Sequence, residues 1–187
     1  MKEIKTAALL FIILTILTGV FYPMTVTALA HIIFPKQAAG SFIYTADSKP
    51  AGSLLIGQPF SDPKYFWSRP SATTDFPYNA LASGGSNLGP TNKDLINQVG
   101  ERAKSLRESG IRGLLPADLV TTSGSGLDPH ISEEGALLQV PRVARQRHLP
   151  EEKIRDLVEN HLEGRQFGLL GAQRVNVLQL NLALDNL

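Results

Sequence analysis

The sequence predicts a single N-terminal transmembrane helix joined to one α/β (α+β) extracytoplasmic domain. The first supporting observation is where the charges lie. The 187 residues include 18 Lys+Arg and 17 Asp+Glu, yet the first 35 positions carry only Lys2, Glu3 and Lys5. The other 152 carry 16 of each sign and are neutral overall. The second is the uncharged run of 25 residues from Thr6 to Ala30. The third is the mixture of helix-spaced apolar stripes with short strand-like runs in the remainder. One surplus positive charge and a pI near 8.0 are no nucleic-acid footprint, which needs a basic stripe. The absence of Cys excludes disulfides, thiolate metal sites, a cysteine nucleophile and a lipidated-Cys anchor. At 43% hydrophobic, the chain has enough apolar surface for a core of its own.

The uncharged run contains Leu9-Leu10-Phe11-Ile12-Ile13-Leu14 and Val20-Phe21-Tyr22. As a helix it would extend roughly 37 Å at about 1.5 Å per residue, enough to cross a bilayer core of about 30 Å with tilt. Pro23 should kink the helix or end its first part. Thr15 and Gly19, four apart, offer a small-xxx-small face for another helix, although such pairs are also common by chance. Ala28-Leu29-Ala30 resembles a signal-peptidase site, and cleavage there would leave a secreted chain starting at His31. The apolar stretch continues to Ile32-Ile33-Phe34, however, longer than an ordinary signal h-region, which favours an uncleaved anchor. The expected division is a cytoplasmic tail over 1–6, a membrane helix over 7–34 and an external domain over 35–187. Lys2 and Lys5 place the N-terminus inside by the positive-inside rule.

Residues 35–90 are rich in Pro and Gly. Phe42-Ile43-Tyr44 and Ser53-Leu54-Leu55-Ile56 read as short strands, and Ser83–Pro90 as a glycine-rich loop. Thr91 is placed as the N-cap of a helix with Asp94 in its first turn and Leu95, Ile96, Val99, Ala103 and Leu106 on one face, ending at Gly110. A second loop covers Thr121–Pro129. Ser132 caps a helix carrying Glu133 and Glu134 in its first turn, which Pro141 interrupts. Pro150 starts another helix, with Ile154, Leu157, Val158 and Leu162 as its stripe and Gly164 as its stop. The alternation Leu178, Leu180, Leu182, Leu184 predicts a final strand, although Asn176 and Gln179 would also suit a capped helix.

No catalytic constellation or metal site stands out. Gly84 to Gly89 has P-loop spacing, but Lys93 comes too late and Thr91 precedes it, so a structural or partner-facing loop is expected. Ser61-x-x-Lys64 has acyl-enzyme spacing without its companion motifs, and Pro63 disfavours the required helix start. His31, His130, His148 and His161 lack metal-ligand spacing. Arg142, Arg145, Arg147 and His148 form a cationic group that reads as a solvated helix flank or an anion-facing patch. Trp67, in the run Tyr65-Phe66-Trp67-Ser68-Arg69-Pro70, is either core or interface anchor.

Long motifs resemble one family. They are Ser68-Arg69-Pro70-Ser71-Ala72, Tyr78-Asn79-Ala80-Leu81-Ala82-Ser83-Gly84-Gly85-Ser86-Asn87-Leu88-Gly89-Pro90, Gly126-Leu127-Asp128-Pro129-His130, Gln139-Val140-Pro141-Arg142, Glu163-Gly164-Arg165-Gln166-Phe167-Gly168-Leu169-Leu170-Gly171 and Val175–Asp185. Together they resemble the C subunit of the high-affinity potassium-transporting P-type ATPase (Kdp). That resemblance implies a non-catalytic subunit of an inner-membrane pump needed for assembly. Implied partners are a channel-like potassium-carrying subunit, an ATP-hydrolysing subunit, a small single-span subunit and membrane lipid. It also implies a catalytic-chaperone role that raises ATP affinity, with Gln139 as the candidate nucleotide contact and ATP reaching the chain through the hydrolysing subunit. Partner-contact candidates are Trp67, Arg69, Asn79, Gly84, Gly85, Asn87 and Arg142. An external domain cannot meet cytoplasmic ATP, so direct nucleotide contact and the expected topology conflict. The topology favours a domain that caps the potassium-carrying subunit near its outer entrance.

Overall fold

The computed structural model describes residues 1–45 and 47–187. It divides into two compact units, Met1–Phe42 and Ile43–Leu187.

The first unit is dominated by one apolar helix over Lys2–Ile33, 32 residues with mean hydropathy 2.2. It begins as α1 (Lys2–Ile16) and ends as α2 (Tyr22–Ile33), with a π-helical turn, Leu17–Phe21, between them. Pro23 therefore does not end the helix. A proline cannot donate to the carbonyl four residues back and its ring crowds that carbonyl. The wider turn just before it absorbs both problems, with the Tyr22 N–H reaching back to the Leu17 carbonyl. Thr18 Oγ1 donates to the Leu14 carbonyl at 2.7 Å and Thr25 Oγ1 to that of Phe21 at 2.8 Å, the usual way a hydroxyl is satisfied in such a helix. No residue of the helix is buried. A short α3 (Pro35–Ala38) follows.

The second unit packs helices on a small antiparallel sheet. Strands β1 (Phe42–Tyr44) and β2 (Pro50–Ser53) form a two-stranded ribbon. The predicted strand over Ser53–Ile56 is displaced: β2 ends at Ser53, whose hydroxyl accepts the Leu55 N–H at 3.1 Å and bends the chain. Residues 54–92 then run without regular structure. Helix α4 (Lys93–Glu108) is capped by Asn92, which accepts from the Asp94 N–H at 2.7 Å, one residue later than the expected Thr91 cap. Its apolar stripe is narrower than expected, because Ile96 is 58% exposed while Leu106 is buried. Gly110 (φ +95°) closes it in the left-handed region.

Helix α5 (Ala117–Val120) leads to β3 (His130–Ser132), α6 (Glu133–Leu137), α7 (Val140–Arg147) and α8 (Glu151–Asn160). Ser132 caps α6 as expected, accepting the Gly135 N–H at 3.0 Å. The helix is interrupted as expected: α6 ends at Leu137 and α7 restarts at Val140, with Pro141 in its first turn, where a missing N–H is harmless. Pro150 is the N-cap of α8, and the helix stops at His161, before Gly164, because Leu162–Glu163 enter β4. Strand β5 (Arg174–Asn176) lies between β3 and β4, with Ile131 opposite Val175 and Leu162 opposite Val175.

The predicted C-terminal strand is a helix, α9 (Val177–Leu184), whose N-cap Asn176 accepts the Gln179 N–H at 3.2 Å. The leucine alternation misleads because the face this helix buries is not marked by its leucines: it includes Val177 and Asn181 and leaves Leu182 off it. Val177, Leu180, Asn181 and Leu184, at helical spacing, are buried together with Leu178, while Leu182 and Ala183 are only half-buried and Gln179 is exposed on the other side. Around it close Phe66, Ile131, Val140, Val143, Ile154, Val158 and Val175, each at most 1% exposed. Burial of one such side chain contributes about 1.5–3 kcal/mol.

Candidate functional site

The residues singled out in the sequence converge on the irregular segment and the helices beneath it. Regular structure cannot satisfy the backbone of residues 54–90, so buried side chains must. Asn181 of α9 holds Phe66 at both ends: its Oδ1 accepts the Phe66 N–H at 2.8 Å and its Nδ2 donates to the Phe66 carbonyl at 2.9 Å. Gln139, just before α7, does the same for Trp67, accepting its N–H at 2.7 Å and donating to its carbonyl at 3.2 Å. Gln139 Nε2 also donates to the Gly135 carbonyl at 3.1 Å. The side chain is 0% exposed and both of its polar atoms are occupied.

Arg142 is one turn on. Its guanidinium lies 3.9 Å above the Trp67 ring and donates to Gln139 Oε1 at 2.6 Å, to the Tyr65 carbonyl at 3.0 Å and to the Pro63 carbonyl. It is 4% exposed, so the solvated-flank expectation fails for this arginine. Burial away from water pulls its pKa down to about 10. Arg147 likewise turns inward, to the Lys64 carbonyl at 3.0 Å and Asp185 at 2.6 Å, while Arg145 faces solvent. Tyr65 Oη donates to the other Asp185 oxygen at 2.9 Å. Asn176 Nδ2 fixes the start of the segment by donating to the Leu54 carbonyl at 2.9 Å.

The second half of the segment is tied to the Thr121–Pro129 loop. Gly84 N–H donates to the Ser125 carbonyl at 2.9 Å, and Gly85 packs so closely that a Cβ there would lie 3.0 Å from the Gly124 carbonyl oxygen. The glycine loop thus meets another loop with the amide a phosphate would need. Asn79 is buried and braces its own turn, donating to the Thr74 carbonyl and accepting from Leu81 N–H at 3.0 Å. Asn87 is exposed with φ +53°. The Tyr78 hydroxyl donates to the Arg69 carbonyl, and burial raises its pKa to about 12.

Arg69 opens a polar cleft of about 550 Å³ bordered by Asp118, Asp128, His130 and Arg174. Its Nη1 is 2.7 Å from Asp128, which His130 Nδ1 also approaches at 3.4 Å; His130 Nε2 lies 3.4 Å from Glu163, itself paired with Arg174 at 2.9 Å. Partial burial alone would raise the Asp128 pKa. The bonds from His130 and the Arg69 charge outweigh it and hold the carboxyl down at about 2. His130 also donates its backbone N–H to Asp128 at 3.0 Å, closing a turn across Pro129. Lys64 pairs with Asp62 at 3.5 Å and lies over the Tyr65 ring rather than serving Ser61. Among the described residues no group of three or more His, Asp or Glu is placed to hold a metal ion. Thr15 and Gly19 sit on the exposed surface of the apolar helix, and nothing lies within 4 Å of where a Gly19 Cβ would be.

Fold and site define a class: a chain with one helix long and apolar enough to cross a membrane, and a small α/β domain whose polar side chains are spent on shaping loops. The particular family follows from similarity. Residues 4–186 match the family described as "K+-transporting ATPase, c chain", and the chain belongs to it. It is 60% identical over 187 residues to the potassium-transporting ATPase KdpC subunit of Geotalea uraniireducens, covering 100% of this chain and 99% of that one. The subunits of the same name from Geobacter metallireducens and Geobacter sulfurreducens are 56% and 58% identical, with the same coverage. Sequence reasoning placed Gln139 and Arg142 among functional residues without seeing that both fasten one loop. It missed Asn181 in that role altogether, for which an Asn inside a leucine-rich helix was the available signal.

Proposed function

We propose that this chain is a non-catalytic subunit of a potassium-transporting ATPase, anchored in the cell membrane by its N-terminal helix, with the α/β domain on the outer face. The domain stabilises the pump by packing on the potassium-carrying subunit near its outer entrance. The helix packs among partner spans, with Thr15 and Gly19 permitting close approach. The ATP-hydrolysing and small single-span subunits complete the assembly. The observation that carries this is the helix: 32 residues at mean hydropathy 2.2 with 0% buried leave an apolar cylinder that only lipid or other spans can cover. The positive charges Lys2 and Lys5 lie at its N-terminal end, which favours an inside N-terminus.

The alternative, a domain that binds ATP through Gln139, has little support. That side chain is fully buried and hydrogen-bonded within the fold. Extraction in mild detergent should bring down the other pump subunits with this chain. Protease added to intact spheroplasts should degrade the domain; survival until lysis would reverse the topology.

A further inference from the structure

Inside a bilayer there is no water to hydrogen-bond a backbone carbonyl, so each one must find its donor in protein. The π-helical turn before Pro23 leaves one without. In a regular helix the carbonyl of Thr18 would accept from the Tyr22 N–H, four residues on. Here the Tyr22 N–H goes to the Leu17 carbonyl instead, because bonds across Leu17–Phe21 reach back five residues. In that wider register the donor to Thr18 would be Pro23, which has no N–H. Nearby hydroxyls do not take its place: Thr18 Oγ1 donates to the Leu14 carbonyl at 2.7 Å and Thr25 Oγ1 to that of Phe21 at 2.8 Å. The position is also deep. At about 1.5 Å per residue, Thr18 lies roughly 18 Å beyond Thr6 and roughly 24 Å short of Phe34 along the uncharged apolar run. With a hydrocarbon core of about 30 Å, any seating that keeps Lys5 and Lys36 out of the core puts this carbonyl inside it. Gly19 stands beside it with nothing within 4 Å of where its Cβ would be, so another helix can come up to the backbone here.

We propose that the Thr18 carbonyl accepts a hydrogen bond, within the bilayer, from a hydroxyl or carboxamide side chain on a membrane-spanning helix of another subunit of the same ATPase. The inference rests on the subunit reading above. Chemistry selects the occupant. Lipid tails carry no donor, so lipid cannot complete this site however well it covers the apolar side chains around it. A second copy of this chain, inserted in the same direction, presents at this depth the Thr18 hydroxyl, which is already committed to Leu14. The donor is uncharged because an ammonium or guanidinium at this depth is costly. Pro23 and Gly19 thus serve one contact: the proline frees the carbonyl, and the glycine lets a donor reach it.

The test uses the whole complex in its membrane. The Thr18 carbonyl points along the helix toward Tyr22. With p-benzoylphenylalanine incorporated in place of Tyr22, irradiation should link this chain to a span of one other subunit, with Ser, Thr, Asn or Gln within a turn of the linked residue. Links to lipid alone, to a second copy, to a span without such a side chain, or none, would overturn the proposal. In a second arm, Pro23→Ala restores the N–H and lets the helix close in its regular register, which withdraws the acceptor. Recovery of the other subunits in mild detergent should then fall about threefold or more, although the variant helix is by itself the stronger one. Pro35→Ala, beyond the span, should leave recovery unchanged. Unchanged or improved recovery with Pro23→Ala would overturn the proposal. Replacing the partner's donor by Ala should cost the parent about as much and the Pro23→Ala variant nothing further. Additive losses would mean that the bend, and not the carbonyl, makes the contact, and would also overturn it. Failure of the subunit reading is seen separately, as absence of any pump subunit in extracts of the parent chain.

Discussion

Replacing Gln139 with Leu keeps the volume of the side chain and removes its amide. The Trp67 N–H and carbonyl would then lose the partners at 2.7 and 3.2 Å, and the Gly135 carbonyl its donor at 3.1 Å. Arg142 would keep its bonds to the Tyr65 and Pro63 carbonyls while losing the acceptor at 2.6 Å. A buried polar group left unpaired costs about 1–3 kcal/mol. Trp67 is only partly buried, so water recovers some of the loss, and about 3–5 kcal/mol is expected in total. That is a large share of the about 5–15 kcal/mol that holds an ordinary domain together. At about 3 °C per kcal/mol for a domain of roughly 150 residues, the melting point should fall by about 10–15 °C. Trp67 is the only tryptophan, so its fluorescence reports melting at the site itself. The measurement is thermal unfolding of the full chain in mild detergent. A variant that melts with the parent yet weakens ATP binding by the pump would refute the bracing role and restore Gln139 as a nucleotide contact.

Gly126→Ala should destabilise by about 2–3 kcal/mol, because the position has φ +69° and a Cβ would sit 2.6 Å from the Gly84 carbonyl oxygen. A shifted urea midpoint with unchanged slope would register it. Asn176→Ala removes the cap of α9 and the bond to the Leu54 carbonyl, and should cost about 2–3 kcal/mol in the same assay. Asp128 makes stability pH-dependent. Its folded pKa, about 2, lies below the unfolded value, so its contribution is complete above about pH 4–5 and is lost as pH falls toward 2. The group is half-buried, which trims the contribution to about 1–2 kcal/mol. Melting points from pH 7 to pH 3 should fall less steeply in Asp128→Asn than in the parent.

Local signals were legible in the sequence, and tertiary ones were not. The Ser132 cap follows from residue order alone, since it needs only a hydroxyl three positions before Gly135. The cap of α4 was misplaced by one because Thr91 and Asn92 are both good caps, and only the backbone chooses between them. The C-terminal leucines misled because the buried helical stripe, Val177, Leu180, Asn181 and Leu184, contains a polar residue, while Leu182 lies off it and completes a false alternation. Gln139 and Arg142 could not be understood locally. The Trp67 backbone lies 72 residues from Gln139, and only the packing of α7 against the loop brings them together. For polar residues on a short helix, solvent exposure is the ordinary expectation.

That misreading points to how the domain works. Between Leu54 and Asn92 the chain has almost no regular structure, and a segment of that length would ordinarily be mobile. Here Asn176, Asn181, Gln139 and Arg142 fasten it from beneath at Leu54, Phe66, Trp67 and Tyr65, while Ser125 and Gly124 hold Gly84 and Gly85. The buried polar side chains do for this loop what a ladder does for a strand. A loop ordered before contact loses little conformational freedom when a partner arrives, so its contact area converts to affinity more fully. Buried amides spent on loop shape fit the role proposed for the domain, a surface that packs on a partner subunit.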